Sequence, residues 1–491
     1  MSELLLAVDI GTTNLKAALF RVEDGRIIDS FSQKIPMYTG GGIAEQDAEE
    51  IYRIYEKTVT YFAKKEQSKR IRSIFLSSQM HAFGILSREG KPTTRLLTYF
   101  DTRSKESLPL INKIRYELYR ETGCPPLHVY PLAKILLARS KGWLKPRDKI
   151  MLSAKDYIIL KTVGAHLLDF STASGSQLLD IHNLKWSSLA LELGGVDENQ
   201  LPELLEGAEK PLNVSLEFAR ATGLSEDVEL YAGVSDASAN QLGVGATRSD
   251  TLAINLGTSA AVRFLVDKPV LDDEKMRFFL YYAGMGKYLV GGAVNNGGIV
   301  VEWYIKSLGR AEIEYSKLAG VDIYTIVDSI ASKSPPGSNG LVALPFLLGG
   351  ERFPIRNPEA KGLLYGLQFR HTRSDVLRAL MEGVVFTLRM IYDALSEHGL
   401  RASTIKVGGN GSSLKTWRQI IADVFQVPVH RAEFVESTLL GSLIHYSTAR
   451  RVQVSLNIRE DITYPNEDSR EVYRETYLHF RKLMELFYPI S

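Results

Sequence analysis

The sequence predicts an α/β protein made of two similar halves. Three observations carry this. Short apolar runs of strand length alternate with amphipathic helical stretches along most of the chain. A hairpin of the form strand, Gly-Thr turn, strand opens the chain and recurs halfway along it. The length, 491 residues, leaves room for two large domains or three smaller ones.

The opening reads as follows. Leu4 to Val8 is an apolar run and predicts a buried strand, interrupted by Asp9-Ile10-Gly11-Thr12-Thr13. Leu15 to Val22 resumes as a second strand, Glu23-Asp24-Gly25 marks a turn, and Arg26 to Lys34 forms a third. A helix follows, with Asp47 as cap and Glu50 as its capping-box partner. Ile51, Ile54, Tyr55, Val59 and Phe62 share one helical face, and Ile71 to Ser77 returns as a strand.

The second half repeats the opening. Thr251 to Asn255 and Ala260 to Val266 flank Gly257-Thr258-Ser259, and Phe278 to Tyr282 and Tyr288 to Gly291 continue the sheet. A long helix starts near Ser374, with Leu377, Leu380, Met381, Val384, Leu388 and Ile391 on one face. The strand Thr404 to Val407 runs into Gly408 to Ser413, after which a helix begins near Leu414 and turns Trp417, Ile420, Ile421 and Val424 inward. The boundary between halves falls near Gly243 to Arg248. This is a coarse duplication, not a short-period repeat. Ser332 to Asn339 is a Pro/Gly/Ser loop.

Composition excludes several function classes. With 59 basic against 57 acidic residues the net charge is +2, too small a field for a dedicated nucleic-acid binder. The single cysteine, Cys124, rules out an intramolecular disulfide and a cysteine-based zinc site, and reads as a small buried filler. The apolar run at the N-terminus is too short and too acidic for a signal peptide, and no apolar stretch is long enough to cross a membrane. A soluble cytoplasmic protein is expected, with no nucleic-acid or membrane partner and room for a homodimer.

Several short motifs can carry chemistry. In Asp9-Ile10-Gly11-Thr12-Thr13-Asn14 the glycine lets the backbone approach a ligand closely. Successive N–H groups and two hydroxyls can then face a phosphate, and Asp9 at the strand end suits a magnesium ion. A plain hairpin turn is the bland alternative. Asn255-Leu256-Gly257-Thr258-Ser259 repeats the pattern, so two corners can close on one polyphosphate. Gly408 to Ser413 lies between strand and helix, where a nucleotide can approach and the helix N-terminus favours anions. Neither a Rossmann fingerprint nor a P-loop is present. Asp236 follows a strand and starts a short helix. It reads equally as an N-cap and as the carboxylate that takes a proton from a substrate hydroxyl during phosphoryl transfer. Met80-His81 ends an apolar strand, and Asp101 with Arg103 forms either a polar clamp or a surface ion pair.

Taken together, these segments resemble the FGGY carbohydrate kinase family, of the actin-like (ribonuclease H-like) ATPase fold. VDIGTTNLKAALF and NLGTSA are similar to its two phosphate hairpins. SSQMHAFGIL and TYFDTRS resemble its substrate segments, and GVSDASANQLGVGA its catalytic segment. VGGNGSSLKTWRQIIADVFQVPV and VESTLLGSL resemble its adenosine region. Within the family, TGCPPLHVYPLAKI, GGAVNNGGIVVEW and LPFLLGGERFPIRNPEAKG look most like gluconate kinases, with xylulose and glycerol kinases sharing the general motifs. Tyr99 and Ala237 depart from many relatives, which have Trp and Gly there, and both flank the expected sugar site.

The resemblance implies two domains, residues 1–245 and 246–491, with ATP and sugar meeting between them. It implies Asp236 as catalytic base, and Asp9 and Asp236 as holders of Mg²⁺. Thr12, Thr13, Asn14, Lys16, Gly257 and Thr258 would lie around the phosphates, and Gly298, Gly409, Asn410 and Ser413 along the nucleotide. Met80, His81, Asp101 and Arg103 would meet the sugar. The implied activity is ATP-dependent phosphorylation of a sugar acid such as D-gluconate, with a ketose or polyol as the alternative acceptor. Arg103, His81 or Lys155 could then hold the substrate carboxylate. An actin-like ATPase doing conformational work, or a silent sugar sensor, shares the two hairpins and would differ in whether sugar phosphate is formed.

Overall fold

In the computed structural model, which describes residues 3–348, 351–433, 436–456 and 458–489, β1 (Leu4–Ile10), β2 (Asn14–Arg21) and β3 (Ile27–Lys34) form the expected antiparallel meander. β1 is buried almost throughout, as its unbroken Leu/Ala/Val run requires of a strand covered on both faces. β3 alternates half-buried with exposed residues and forms the sheet edge. Helix α1 (Ala48–Ala63) is capped by Asp47, whose carboxylate accepts from the Glu49 and Glu50 amides. The reciprocal bond expected of Glu50 is replaced by one from the Tyr38 hydroxyl to its carboxylate.

The first sheet is completed by β4 (Ile71–Ser78), β5 (Pro211–Asn213) and β6 (Glu229–Ser235), in the order β5-β6-β4-β1-β2-β3. β4 runs parallel to both β1 and β6. One face is covered by α1, α2 (Ala154–Val163) and α3 (Leu216–Thr222), which bury Tyr55, Phe62, Ile158 and Phe218 against it. β6 leads directly into α4 (Asp236–Gly243).

The second half repeats this plan. β7 (Thr251–Leu256) is antiparallel to β8 (Ala260–Val266) and parallel to β11 (Thr404–Gly408), as β1 is to β2 and β4. β9 (Phe279–Gly284), β10 (Lys287–Val294), β12 (Val429–Ala432) and β13 (Glu460–Thr463) extend the sheet to β9-β10-β8-β7-β11-β12-β13. The duplication breaks after β8, where β10 pairs with β8 and β9 is sent to the edge. First-half groups cover that edge. The Leu280 amide donates to the Gly123 carbonyl and the Tyr282 amide to the Ser174 hydroxyl, so the edge is paired rather than open.

Helices α5 (Ile299–Leu308), α6 (Ile323–Ala331), α7 (Arg373–Glu397), α8 (Lys415–Phe425), α9 (Ser437–Ala449) and α10 (Arg470–Phe487) follow in chain order. The stripe predicted on α7 is buried, and Thr372 and Asp375 cap that helix reciprocally. α9 crosses back to the first half, placing Leu439, Leu440, Leu443 and Tyr446 against Leu5, Ala7, Phe20 and Phe75. It also runs against α4 with the backbones touching. A Cβ on Gly243 would lie 1.7 Å from the Ser437 carbonyl oxygen, and one on Gly441 1.6 Å from that of Ala239. No side chain fits at either position.

Candidate active site

The two Gly-Thr corners face a central cavity of about 330 Å³ between the sheets. Asp9, Thr12 and Lys16 reach it from the first corner, and Asn255 and Ser259 from the second. The first corner is braced from behind. Asp9 Oδ1 accepts from the Ser77 hydroxyl at 2.8 Å, the Thr12 hydroxyl donates to Gln79 Oε1 at 2.7 Å, and Gln46 donates to the Thr12 carbonyl at 2.7 Å. The second corner is held by α5, where the Gly298 amide donates to the Gly257 carbonyl at 2.7 Å and the Ile299 amide to that of Thr258 at 3.1 Å.

Asp236 lies in the wall of this cavity. The capping role open to it in the sequence is taken by Ser235, whose hydroxyl accepts from the Ser238 amide. Asp236 is therefore the first helical residue, with its carboxylate free to face the cavity. Behind it, the buried Lys155 donates to the Val234 carbonyl at 2.9 Å and pairs with Asp169. Burial raises the Asp236 pKa to about 6, against the opposing pull of Arg263 and Lys155. Burial and the nearby Asp236 charge raise that of Asp9 to about 7. Both carboxylates thus titrate near neutrality, at the value that suits proton transfer.

Two acids that repel each other at a phosphate-sized cavity fit a divalent cation. Among the described residues, no group of three or more His, Cys, Asp and Glu side chains forms a metal cage. Magnesium needs none, since it takes one or two carboxylates and completes its shell with phosphate and water. Asp9 and Asp236 are carboxylates of this cavity that could hold such an ion.

Met80, His81, Tyr99, Tyr130, Tyr281 and Arg352 also line the cavity. His81 has a left-handed backbone, φ 68°, uncommon for a residue with a side chain. It is fixed there by the Lys134 ammonium, which donates to the His81 and Thr98 carbonyls. Its Nδ1 donates to the Gly175 carbonyl at 2.6 Å, and burial lowers its pKa to about 3. The ring is therefore neutral at pH 7, with Nε2 left as an acceptor for a hydroxyl. Tyr99 sits between the corners, its phenol flanked by the Thr12 and Ser259 hydroxyls.

A second cavity of about 270 Å³ continues from the first past Gly409, Asn410 and Ser437, and is lined further by Ser413, Tyr324 and Arg431. Gly409 turns with φ 80°, and a Cβ there would come within 2.6 Å of Leu256, so this loop lies directly on the end of β7. The expected anion site at the start of α8 is filled instead by the Asp328 carboxylate, which accepts from the Lys415 and Thr416 amides. A third cavity, about 420 Å³, adjoins the central one across Tyr99, Leu127, Val129 and Arg352.

The structure thus brings Asp9, Thr12, Lys16, Met80, His81, Asp236, Gly409 and Asn410 to one cavity, with Ser413 on its nucleotide-sized extension. Other expected residues lie elsewhere. Thr13 is exposed and Asn14 begins β2, neither lining a cavity. Thr258 faces the third cavity, while Gly257 and Gly298 are pressed backbone to backbone. Asp101 and Arg103 are not at the central cavity wall. Asp101 is fully buried, accepts from the Ala44 amide at 3.0 Å and pairs with Arg103, which also binds Glu45. Of the three expected carboxylate partners, Arg103 and Lys155 are consumed by internal ion pairs and His81 is neutral. Gln79, Arg263, Arg352 and Glu436 line the cavity and were missed by the sequence reading. Arg352 lies within LPFLLGGERFPIRNPEAKG, whose Gly349 and Gly350 are outside the described residues, as is Val435 of VESTLLGSL.

Comparison with known proteins matches residues 4–243 to the N-terminal domain and residues 252–449 to the C-terminal domain of the FGGY family of carbohydrate kinases. A gluconokinase from Bacillus subtilis (strain 168) is 33% identical over 100% of this chain and 96% of its own. A xylulose kinase from Lactococcus lactis subsp. lactis (strain IL1403) is 28% identical over 89% of this chain and 86% of its own. The crystal structure of gluconate kinase from Lactobacillus acidophilus superposes with a TM-score of 0.90 at 27% identity, covering 99% of this chain and 98% of that one.

Proposed function

Since the chain belongs to the FGGY family of carbohydrate kinases, we propose that it transfers the γ-phosphoryl group of ATP to the terminal hydroxyl of D-gluconate, giving 6-phosphogluconate and ADP. The observation that carries this reading is the Asp236 carboxylate. It is released from helix capping, lies in the wall between the two corners, and has a pKa of about 6.

In this reaction the hydroxyl oxygen forms a bond to the γ-phosphorus, and the bond from that phosphorus to the β–γ bridging oxygen breaks. ADP keeps that oxygen and its electron pair. The hydroxyl proton passes to an Asp236 carboxylate oxygen. Lys155, holding the Val234 carbonyl two residues earlier, keeps the carboxylate in place. Thr12 and Ser259, from opposite corners, orient the phosphoryl group, and Gly409 and Asn410 lie along the path to the adenosine cavity. Magnesium, when bound by Asp9 and Asp236, neutralises charge on the phosphates. Met80 and the neutral His81 meet the sugar chain, with His81 Nε2 accepting a hydrogen bond from a hydroxyl.

Gluconate is favoured over xylulose by the full-length relative at 33% identity and by the likeness to a gluconate kinase structure. Cytoplasmic action is part of the reading, since ATP is the donor and the one cysteine, Cys124, is free and buried. The test is ATP consumption across sugar acids, ketoses and polyols, with the product mass measured. Stoichiometric 6-phosphogluconate supports the assignment. Preferential phosphorylation of xylulose or a polyol overturns the choice of substrate, and ATP hydrolysis independent of any sugar overturns the kinase mechanism itself.

A further inference from the structure

We infer that Arg352 binds the substrate carboxylate and so sets the preference for an acid over a neutral sugar, an inference that rests on the aldonate reading above. Three cationic side chains line the central cavity among the described residues, namely Lys16, Arg263 and Arg352. Lys16 belongs to the phosphate end, where its ammonium contacts both carboxylate oxygens of Glu436 at 2.9 and 3.1 Å. Arg263 donates to Asn240 at 2.8 Å and also leaves Nε without a partner among the described residues, but its charge acts on Asp236, where the reacting hydroxyl lies. Arg352 lines the cavity beside His81 and Tyr99. Its charge acts on His81, Tyr99, Tyr130 and Tyr281, the groups that surround the sugar.

The Arg352 guanidinium is also short of partners. The residue is 8% exposed, yet Nη2 makes one long bond, 3.4 Å to the Val294 carbonyl, and Nε has no partner among the described residues. The neighbouring Glu351 would be its obvious counter-ion. That carboxylate is already engaged by the Asn295 and Asn296 amides, the Asn296 side chain and the Arg352 backbone N–H. A buried guanidinium left with unused donors is costly unless an anion arrives, and its planar fork matches a carboxylate. The face of Tyr99, 5.6 Å away, limits how it can turn. An aldonate bound with its terminal hydroxyl at Asp236 carries its carboxylate away from that acid, and the Arg352 charge acts on His81, Tyr130 and Tyr281 rather than on Asp236.

The experiment compares D-gluconate with D-gluconamide, its neutral isostere, used as a competitive inhibitor against wild type, Arg352→Ala and Arg352→Lys. Arg352→Ala should lower kcat/KM for gluconate about 100-fold, mainly through KM, while Ki for gluconamide moves less than threefold. Arg352→Lys should recover about tenfold of the loss, because it restores the charge without the fork. Parallel losses for both ligands, with no rescue by lysine, would overturn the inference and leave Arg352 a packing residue. A wild-type enzyme that neither phosphorylates gluconate nor binds it better than gluconamide would instead overturn the aldonate reading. Melting temperature and ADP binding identify a variant that fails to fold, in which case Arg352→Lys alone decides between the outcomes.

Discussion

The two Gly-Thr corners have the same backbone and different electrostatics. Asp9-Ile10-Gly11-Thr12 and Asn255-Leu256-Gly257-Thr258 end equivalent strands, each antiparallel to one neighbour and parallel to the other. The first carries a carboxylate where the second carries an amide. The first also brings Lys16 to the cavity, while the second presents Asn255 and Ser259. Both corners keep the turn, which any phosphate cradle needs, and only the first carries a negative charge. A second aspartate at position 255 would add a further carboxylate to a cavity that already holds Asp9, Asp236 and Glu436. That arrangement would repel the triphosphate. Of the two corners, the first therefore supplies the carboxylate and the second offers neutral groups.

This asymmetry can be broken at several points. The largest effect is expected at Asp236, which lies outside both corners. Asp236→Asn should lower kcat about 10⁴-fold while ADP binding, followed by calorimetry, is retained. Near-normal turnover would remove it from the chemistry. Asp9→Asn makes the first corner match the second. It should cost about 10²-fold in activity and raise the magnesium concentration needed for half-maximal rate. The reverse change, Asn255→Asp, makes the second corner match the first. KM for ATP should rise about tenfold, since another negative group then faces the phosphates. An unchanged KM would mean that the second corner's neutrality is incidental. The smallest effect is the pH profile. Burial raises the Asp236 pKa to about 6, and only the ionised form accepts a proton. Activity should therefore be full well above that value and lost as pH falls through it, with kcat/KM about halved near pH 6. In Asp9→Asn this acid limb should stay in place, because Asp9, with a pKa of about 7, is already protonated where Asp236 titrates.

Much of the fold was legible because its signals are local. The corners, the buried strands and the long helix α7 each follow from runs of a dozen residues or fewer and from turn chemistry. What the sequence hid was partnership over long distances. Asp101 and Arg103 resemble a ligand clamp when read alone, and nothing nearby reveals that Ala44 and Glu45 will cover them. Glu351-Arg352 resembles a self-satisfied ion pair. It takes Asn295 and Asn296, more than 50 residues earlier, to occupy the glutamate and leave the arginine without a carboxylate partner among the described residues. Asp236 was ambiguous between cap and base until Ser235 was seen to do the capping. The start of α8 erred in the other direction, since Asp328 from α6 fills what reads as an anion site.

The contact between α4 and α9 bears on how the cleft keeps its width. α4 begins at Asp236, the proposed proton acceptor, and α9 begins at Ser437, which lines both the central cavity and its extension. Where they cross, Gly243 and Gly441 bring main chain onto main chain. Peptide groups have fixed dimensions, unlike the interdigitated side chains that usually separate helices. The crossing works as a built-in ruler, so that the surrounding core can drift in composition while the spacing between acceptor and donor sites is inherited unchanged.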